Sequence, residues 1–409
     1  MNLQFDVLIV GAGPAGCGCA LHLANQGLRI AIADNATFPR DKICGDGLSG
    51  HTVSELKKLP GSIFNDFLNL PGVNPSHGFR IVSPSSYQLD LPYSLTSNPV
   101  HAPGFTCKRK TFDDFLVKKL SNHPDITLFE NTTIKSLTVL PDKIVAQSTS
   151  LIINSQVVVG ADGYQSIVKK HLHPHSKNST AFALRGYFQG VTGFHPQQFI
   201  EMHFLKELPS GYLWIFPESN NLANVGIGFM RSKKGFHKEL KHIFNSIITE
   251  SQTIAPRFAQ ASMVGNLQGY FLPLYTKKTP VSGERMLLTG DAAGLINPFT
   301  GEGIGNALLS GRLAANQILQ CFQLHDFSRN QMINYDKVIK AKLWKESRIS
   351  LFLSRLARFS WLFDAVFKKA VHRQDIQNLI VTLSDDLSKR NKIKTVFRFL
   401  KLLLKKQSI

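Results

Sequence analysis

"FDVLIVGAGPAGCGCALHLANQGLRIAIAD", Phe5 to Asp34, is the stretch that decides the fold. Val7 to Val10 form an unbroken apolar run, as parallel strands buried on both faces do. Gly11, Gly13 and Gly16 follow as G-x-G-x-x-G around Ala15, and the helix they open ends at Gly27, a residue suited to a helix C-terminus. Gly11 makes the tight turn, Gly13 lets a pyrophosphate approach, and Gly16 lets helix lie on strand. Phosphates held there meet the exposed N–H groups at the helix N-terminus. Asp34 closes the second strand, where an acid hydrogen-bonds a ribose hydroxyl. Strand, turn, helix and acid together predict a dinucleotide site in a Rossmann-like α/β domain. Cys17 and Cys19 on the helix read as small packing residues.

The chain has 409 residues, more than one core usually spans, so two or three domains are expected. Its net charge of +19 points to an anionic partner: membrane lipid, nucleic acid or a phosphorylated ligand. Five scattered cysteines argue against a disulfide framework and for a reducing compartment. His171, His173 and His175 have no flanking cysteine or acid, so a solvated loop is expected and no metal. The opening runs straight into a strand pattern, leaving no room for a signal peptide. No run of about 18 uncharged apolar residues suggests a spanning helix. A cytoplasmic protein is the expectation.

Two later stretches narrow the ligand. "SQVVVGADGYQSIVKK" (155–170) carries Asp162 at a strand end, and "ERMLLTGDAAGLINPFTGEGIGNALLSGRLAA" (284–315) carries Asp291 at another. Open α/β sheets bind ligands at such C-terminal strand ends. The second stretch also opens a helix near Gly303, aiming its positive end back at the site. In order, these motifs resemble the flavoprotein hydroxylase superfamily. The resemblance implies FAD, with the first motif on its AMP half and Asp291 on the ribityl chain. It further implies Asp162 near flavin and nicotinamide, and Gly303 and Ile304 as backbone beside the isoalloxazine. Arg109, in "CKRKTFDDFL" (107–116), matches an R-x-x-F-D element whose arginine lies along the cofactor. The implied fold is a Rossmann-like FAD-binding domain of the p-hydroxybenzoate hydroxylase type, with an inserted antiparallel-sheet substrate domain and a helical C-terminal region.

A narrower resemblance rests on "FPRDKICGDGLSG" (38–50) and "SGYLWIFPESNNLANVGIGFM" (210–230). Pro39, Lys42, Cys44 and Gly45, then Tyr212, Trp214, Phe216 and Pro217, then Val225, Gly226 and Gly228, look like the geranylgeranyl reductase family. The resemblance implies Cys44, Gly45 and Gly47 against the flavin, and Tyr212, Trp214 and Phe216 lining a prenyl pocket. It implies an FAD-dependent reductase of isoprenoid double bonds on a lipid or prenyl diphosphate, with NAD(P)H as electron donor and Cys44 as the acid. The residues alone leave alternatives. In a strand the three aromatics share one face, which suits an isoprenoid or a sheet face packed on helices. Arg40 and Lys42 could acidify the Cys44 thiol into a proton donor; otherwise Cys44 is a small residue that lets the flavin sit close. A monooxygenase or halogenase of an apolar or aromatic substrate shares the FAD motifs. The halogenase pattern W-x-W-x-I-P, however, reads Tyr212-Leu213-Trp214-Ile215-Phe216-Pro217 here.

The expected organisation is an FAD domain assembled from 1–75, 100–175 and 275–330. Residues 76–99 and 176–274 are expected to form one antiparallel sheet roofing the flavin. Residues 331–409 hold 18 Lys and Arg against 6 Asp and Glu, twelve of the nineteen net charges. There, Ile393, Val396, Phe397, Leu400, Leu403 and Leu404 share one helical face, opposite Lys394, Arg398, Lys401 and Lys405. That is an interfacial-helix pattern, and each basic residue near an anionic leaflet contributes about 1 kcal/mol. "ISLFLSRLARFSWLFDAVFKKAV" (349–371) is a second stretch expected to lie on a bilayer. An anionic membrane surface is therefore the expected partner, on the cytoplasmic face. Nucleic acid is disfavoured, because the tail's aromatics sit on the apolar face and are not interleaved with the cations.

Overall fold

The computed structural model describes residues 1–93, 101–175, 180–209, 211–229 and 236–384; the stretch 393–405 lies outside them. Val7–Val10 pairs in parallel with Ile30–Ala33 on one side and Val157–Gly160 on the other. Ile126–Phe129 and Met286–Leu288 extend this sheet on either side, and Ser282–Gly283 ends it antiparallel. The apolar run thus becomes a central strand, with all four residues buried. Helix α1 (Pro14–Leu23) starts from its end, helix α2 (Arg109–Leu120) packs beside it, and helix α3 (Ile304–Leu324) crosses it closely.

Glycines set that closeness. A Cβ on Gly16 would lie 1.9 Å from the Gly11 carbonyl oxygen, and one on Gly311 2.3 Å from the Ala15 oxygen. Both obstacles are backbone, so neither can rotate away. Gly16→Ala is expected to lower stability by about 3 kcal/mol, the upper end of overpacking, read as a drop in the denaturant midpoint.

The second sheet contains β1 (Gly78–Val82), β2 (Gln88–Pro92), β3 (Thr180–Gln189), β4 (Ile200–His203), β5 (Gly211–Glu218), β6 (Leu222–Phe229) and β7 (Ser262–Pro273). Its order is β7-β3-β6-β5-β4-β1-β2. The sheet is antiparallel, as expected from sequence, except for one parallel pair, β1 with β4. The physical reason is the path of the chain. It leaves β2 for the first sheet and returns much later, and so long a crossover permits parallel pairing where a tight turn would not.

Alternation gives this sheet two different faces. Leu184, Leu213, Ile215, Val225 and Ile227 form a core with the helix Phe236–Glu250 through Leu240, Phe244 and Ile247. The opposite face carries Tyr212, Trp214, Phe216 and Glu218 in succession along β5. Cross-strand register places Gly226 beside Trp214 and Asn224 beside Phe216, with Arg185 and Tyr187 one strand further on, beside Gly226 and Asn224.

Helices α4 (Lys345–Leu356), α5 (Ser360–Val371) and α6 (Gln374–Ser384) close the far end. Phe367, Ala370 and Ile376 pack against Phe79, Leu89 and Leu91 of β1 and β2. Asp364 accepts hydrogen bonds from the Ser83 and Ser85 hydroxyls at 2.6 and 2.8 Å. Stretch 349–371 is therefore docked on the sheet along part of its surface, leaving Phe352, Phe359 and Trp361 46%, 53% and 69% exposed. Among the described residues no helix is long and apolar enough to cross a membrane.

Candidate active site

One cavity of about 1180 Å³ runs between the two sheets. A small-molecule site usually holds roughly 300–1,000 Å³, so this one has room for a cofactor and a second ligand. Gly11, Gly13, Ala15, Asp34, Cys44, Gly45, Gly47, Arg109, Asp162, Asp291, Gly303, Ile304, Tyr212, Trp214 and Phe216 all line it. Gly16 does not; it lies under the turn, as its contact with Gly11 requires.

At one end the chain offers donors and acids. Gly11 adopts φ +104° and a Cβ there would strike the Ala161 oxygen at 2.4 Å, so the turn demands glycine. Helix α1 starts at Gly13 and α3 at Gly303, neither with a side-chain cap. Both helices therefore present backbone N–H groups and a positive dipole end to the cavity. Asp34 accepts the Ala12 and Ala36 N–H groups at 2.7 and 2.9 Å, which fixes its carboxylate at the rim. Asp162 accepts the Ile167 N–H through Oδ2 at 2.7 Å, while its Oδ1 is buried without a partner and burial pushes the carboxyl up.

The loop 38–47, entered through a cis Phe38–Pro39 bond, is tied down on several sides. Arg40 pairs with Asp113 at 2.8 Å, Asp41 with Arg185 at 2.8 Å, and Lys42 with Asp291 at 2.9 Å. Of the two readings left open for Cys44, acidification by Arg40 and Lys42 meets the fact that both engage carboxylates on other elements. The cation that reaches the thiol is Arg109, held by two 2.7 Å bonds to Asp113. Burial opposes the guanidinium's charge, but Asp113 and then Cys44 outweigh it and raise its pKa. Burial likewise opposes the Asp113 charge, and Arg109 and Arg40 hold it below the usual range.

The aromatic stripe faces this loop. A Cβ on Gly45 or Gly47 would lie 3.1 Å from the Phe216 ring, so the aromatic wall crowds both positions. A Cβ on Gly226 would lie 2.1 Å from the Trp214 ring, which explains the V-G-x-G glycine opposite it. Tyr212 donates to the Thr300 carbonyl at 2.5 Å, anchoring the stripe to the turn before α3. Beyond it the cavity continues between Ile81, Met202 and Phe204 of the sheet and Leu356, Phe363 and Val366 of the helices.

Several site residues escaped the sequence reading: Asp46, Asn224 and Tyr187 behind the Cys44 loop, and His51 and Glu302 on the cavity wall. Ser49 donates to Glu302, and His51 Nε2 is buried without a partner among the described residues. Glu302 lies inside "TGEGIGN" and could have been flagged there. The others carry no local signal.

This cradle of glycines, rim acids and two uncapped helix N-termini fits FAD and defines a flavoprotein oxidoreductase. The FAD binding domain family matches residues 4–311. The chain is 30% identical to the menaquinone reductase of Mycobacterium tuberculosis, over 76% of this chain and 75% of that one. It is 26% identical to the digeranylgeranylglycerophospholipid reductase of Picrophilus torridus, over 84% of each. A geranylgeranyl bacteriochlorophyll reductase-like structure from Thermoplasma acidophilum shares the fold, with TM-score 0.79, 23% identity, and 99% and 98% of the two chains covered. The chain belongs to the FAD binding domain family and is an FAD-dependent oxidoreductase similar to geranylgeranyl-type and menaquinone reductases.

Proposed function

We propose that this enzyme saturates isoprenoid double bonds on a lipid or a prenyl diphosphate. The observation that carries the proposal is the single cavity joining the cofactor cradle, the aromatic stripe and an apolar slot. Relatives named for reducing a digeranylgeranyl phospholipid and a menaquinone support the same substrate class. The division proposed is an FAD domain from 1–75, 100–175 and 275–330, and a substrate domain from 76–99 and 176–274.

FAD, held by the residues of the cradle and reduced by NAD(P)H as the proposed donor, would supply the hydride for one alkene carbon. Cys44 gives its proton to the other carbon, and the Arg109 guanidinium beside it stabilises the thiolate that remains. Trp214 and Phe216 hold the chain against the largely apolar walls of the slot. Asp34, Asp162 and Asp291 are the proposed polar contacts of the cofactor, with Gly303 and Ile304 beside its ring. The test is anaerobic: the reduced holoenzyme is mixed with a geranylgeranyl lipid and the product weighed. Uptake of two hydrogens per double bond supports the reading. A product that gains oxygen or halogen, formed only in air, replaces it with the oxygenase or halogenase.

The basic region 331–409 is proposed to hold the protein against the anionic cytoplasmic face of the membrane. Phe359 and Trp361, exposed at the α4–α5 turn between Arg355, Arg358 and Lys368, are its apolar contact. Burying either ring is worth about 1.5–3 kcal/mol. Phe359→Glu with Trp361→Glu should therefore weaken co-sedimentation with anionic vesicles by more than roughly tenfold, 1.4 kcal/mol per decade.

A further inference from the structure

Behind the Cys44 loop lies a buried hub of hydrogen bonds that the reaction above does not use. Asp46 is fully buried and adopts φ +63°. Its Oδ1 accepts the Arg109 backbone N–H at 3.2 Å, and its Oδ2 accepts the Tyr187 hydroxyl at 2.5 Å and the Asn224 amide at 2.6 Å. The same Asn224 amide donates to the Cys44 carbonyl at 2.8 Å, while Asn224 Oδ1 accepts the Trp214 indole N–H at 2.9 Å. One buried side chain thus joins the wall that holds substrate to the backbone of the residue that gives the proton. Glu218, the next residue after Phe216 on that face of β5, is also buried, and neither of its oxygens has a partner among the described residues.

We propose that Asp46 and Asn224 are positioning residues that lock the Cys44 backbone to Trp214, and that a proton on Glu218 keeps the lock closed. The inference rests on Cys44 as the proton donor. Three donors point at Asp46 and none at Glu218, so the negative charge belongs on Asp46 and the proton on Glu218. Burial, and for Glu218 the neighbouring Asp46, pushes both carboxyls up: Asp46 to about 6, Glu218 well above its ordinary value. The charged and titratable groups around them are Lys108, Arg185, Arg109, Tyr187, Cys44 and Cys107, with Asp41 paired to Arg185. The lock therefore needs a pH above about 6, where Asp46 is charged, and it weakens as pH rises through the higher folded value of Glu218, whose raised pKa favours the protonated form in the fold. Ionised Glu218 would set two anions side by side, push Asp46 off its donors and release Cys44.

Two variants test this. Asp46→Asn keeps the volume and tolerates the left-handed backbone, but its amide can accept on one side only and sets donor against donor on the other. It should keep FAD, seen in the visible spectrum, leave KM nearly unchanged and lower kcat roughly 100-fold, the scale of a misplacement near 1 Å. The unaltered enzyme should lose kcat as pH rises through the Glu218 value, and Glu218→Gln, which imitates the protonated acid, should flatten that alkaline fall. Unchanged kcat in Asp46→Asn, or an unchanged alkaline limb in Glu218→Gln, overturns the proposal. Should Asp46→Asn not fold, Glu218→Gln alone decides. An unaltered enzyme that reduces no isoprenoid overturns the proposed function instead.

Discussion

Cys44→Ala should bind FAD as the unaltered protein does and lose turnover by roughly 100-fold to 10,000-fold, the range general-acid catalysis supplies. Of the five cysteines, Cys44 lines the cavity; Cys17, Cys19, Cys107 and Cys321 are buried in packing. Burial pushes those four thiols up, which keeps them protonated and inert. Cys44 instead lies within electrostatic reach of the Arg109 guanidinium, the charge suited to a thiolate left behind by proton transfer. Alanine leaves the loop in place, because Asn224 holds the Cys44 carbonyl and not its side chain. FAD content should therefore be unchanged, and the loss should appear in the anaerobic oxidation of the reduced flavin by substrate. Cys44→Ser separates size from acidity: it fills the same space with a far weaker acid and should be nearly as slow as alanine. A rate equal to the unaltered enzyme in either variant would make Cys44 a packing residue.

What the sequence disclosed and what it hid divide along chain distance. The G-x-G-x-x-G turn, the strand ends at Asp162 and Asp291, and the alternation of Tyr212, Trp214 and Phe216 are local patterns. The physics behind each acts within a few residues. Where Arg40 and Lys42 would spend their charge was not local: their partners Asp113 and Asp291 lie 73 and 249 positions away. Nor was the charge of Arg109 acting with Cys44, 65 positions along the chain, a local matter. Asn224 reads as an ordinary strand residue until register sets it beside Phe216 and Tyr187. Asp46 looks like one more loop acid until its backbone turns left-handed and buries it. Gly45 and Gly47 suggested close approach of a ring; the aromatic wall crowds both positions. The apolar stretch 349–371 suggested a bilayer, and periodicity could not show that Phe367 and Ala370 would meet β1 and β2.

Val366→Trp should decide whether the slot beyond Trp214 holds a prenyl chain. Val366 lies on α5 and faces the cavity, one residue before Phe367, which packs on the sheet. Helix and sheet fix that wall together, so an added indole fills the slot and cannot be absorbed by a shift of α5. Protein interiors are packed to crystal density, and a full wall has nowhere to send the extra volume. With a geranylgeranyl substrate, kcat/KM should fall roughly 100-fold, as hydrophobic pockets discriminate when a few methylenes no longer fit. A geranyl substrate, whose chain ends short of α5, should keep most of its rate, and FAD should bind as before at the opposite end. The pattern separates the two chemistries. A small aromatic substrate of an oxygenase, held beside Cys44 and Trp214, would not feel position 366. If long and short chains lose rate equally, or neither does, the slot is a packing gap and the substrate enters elsewhere.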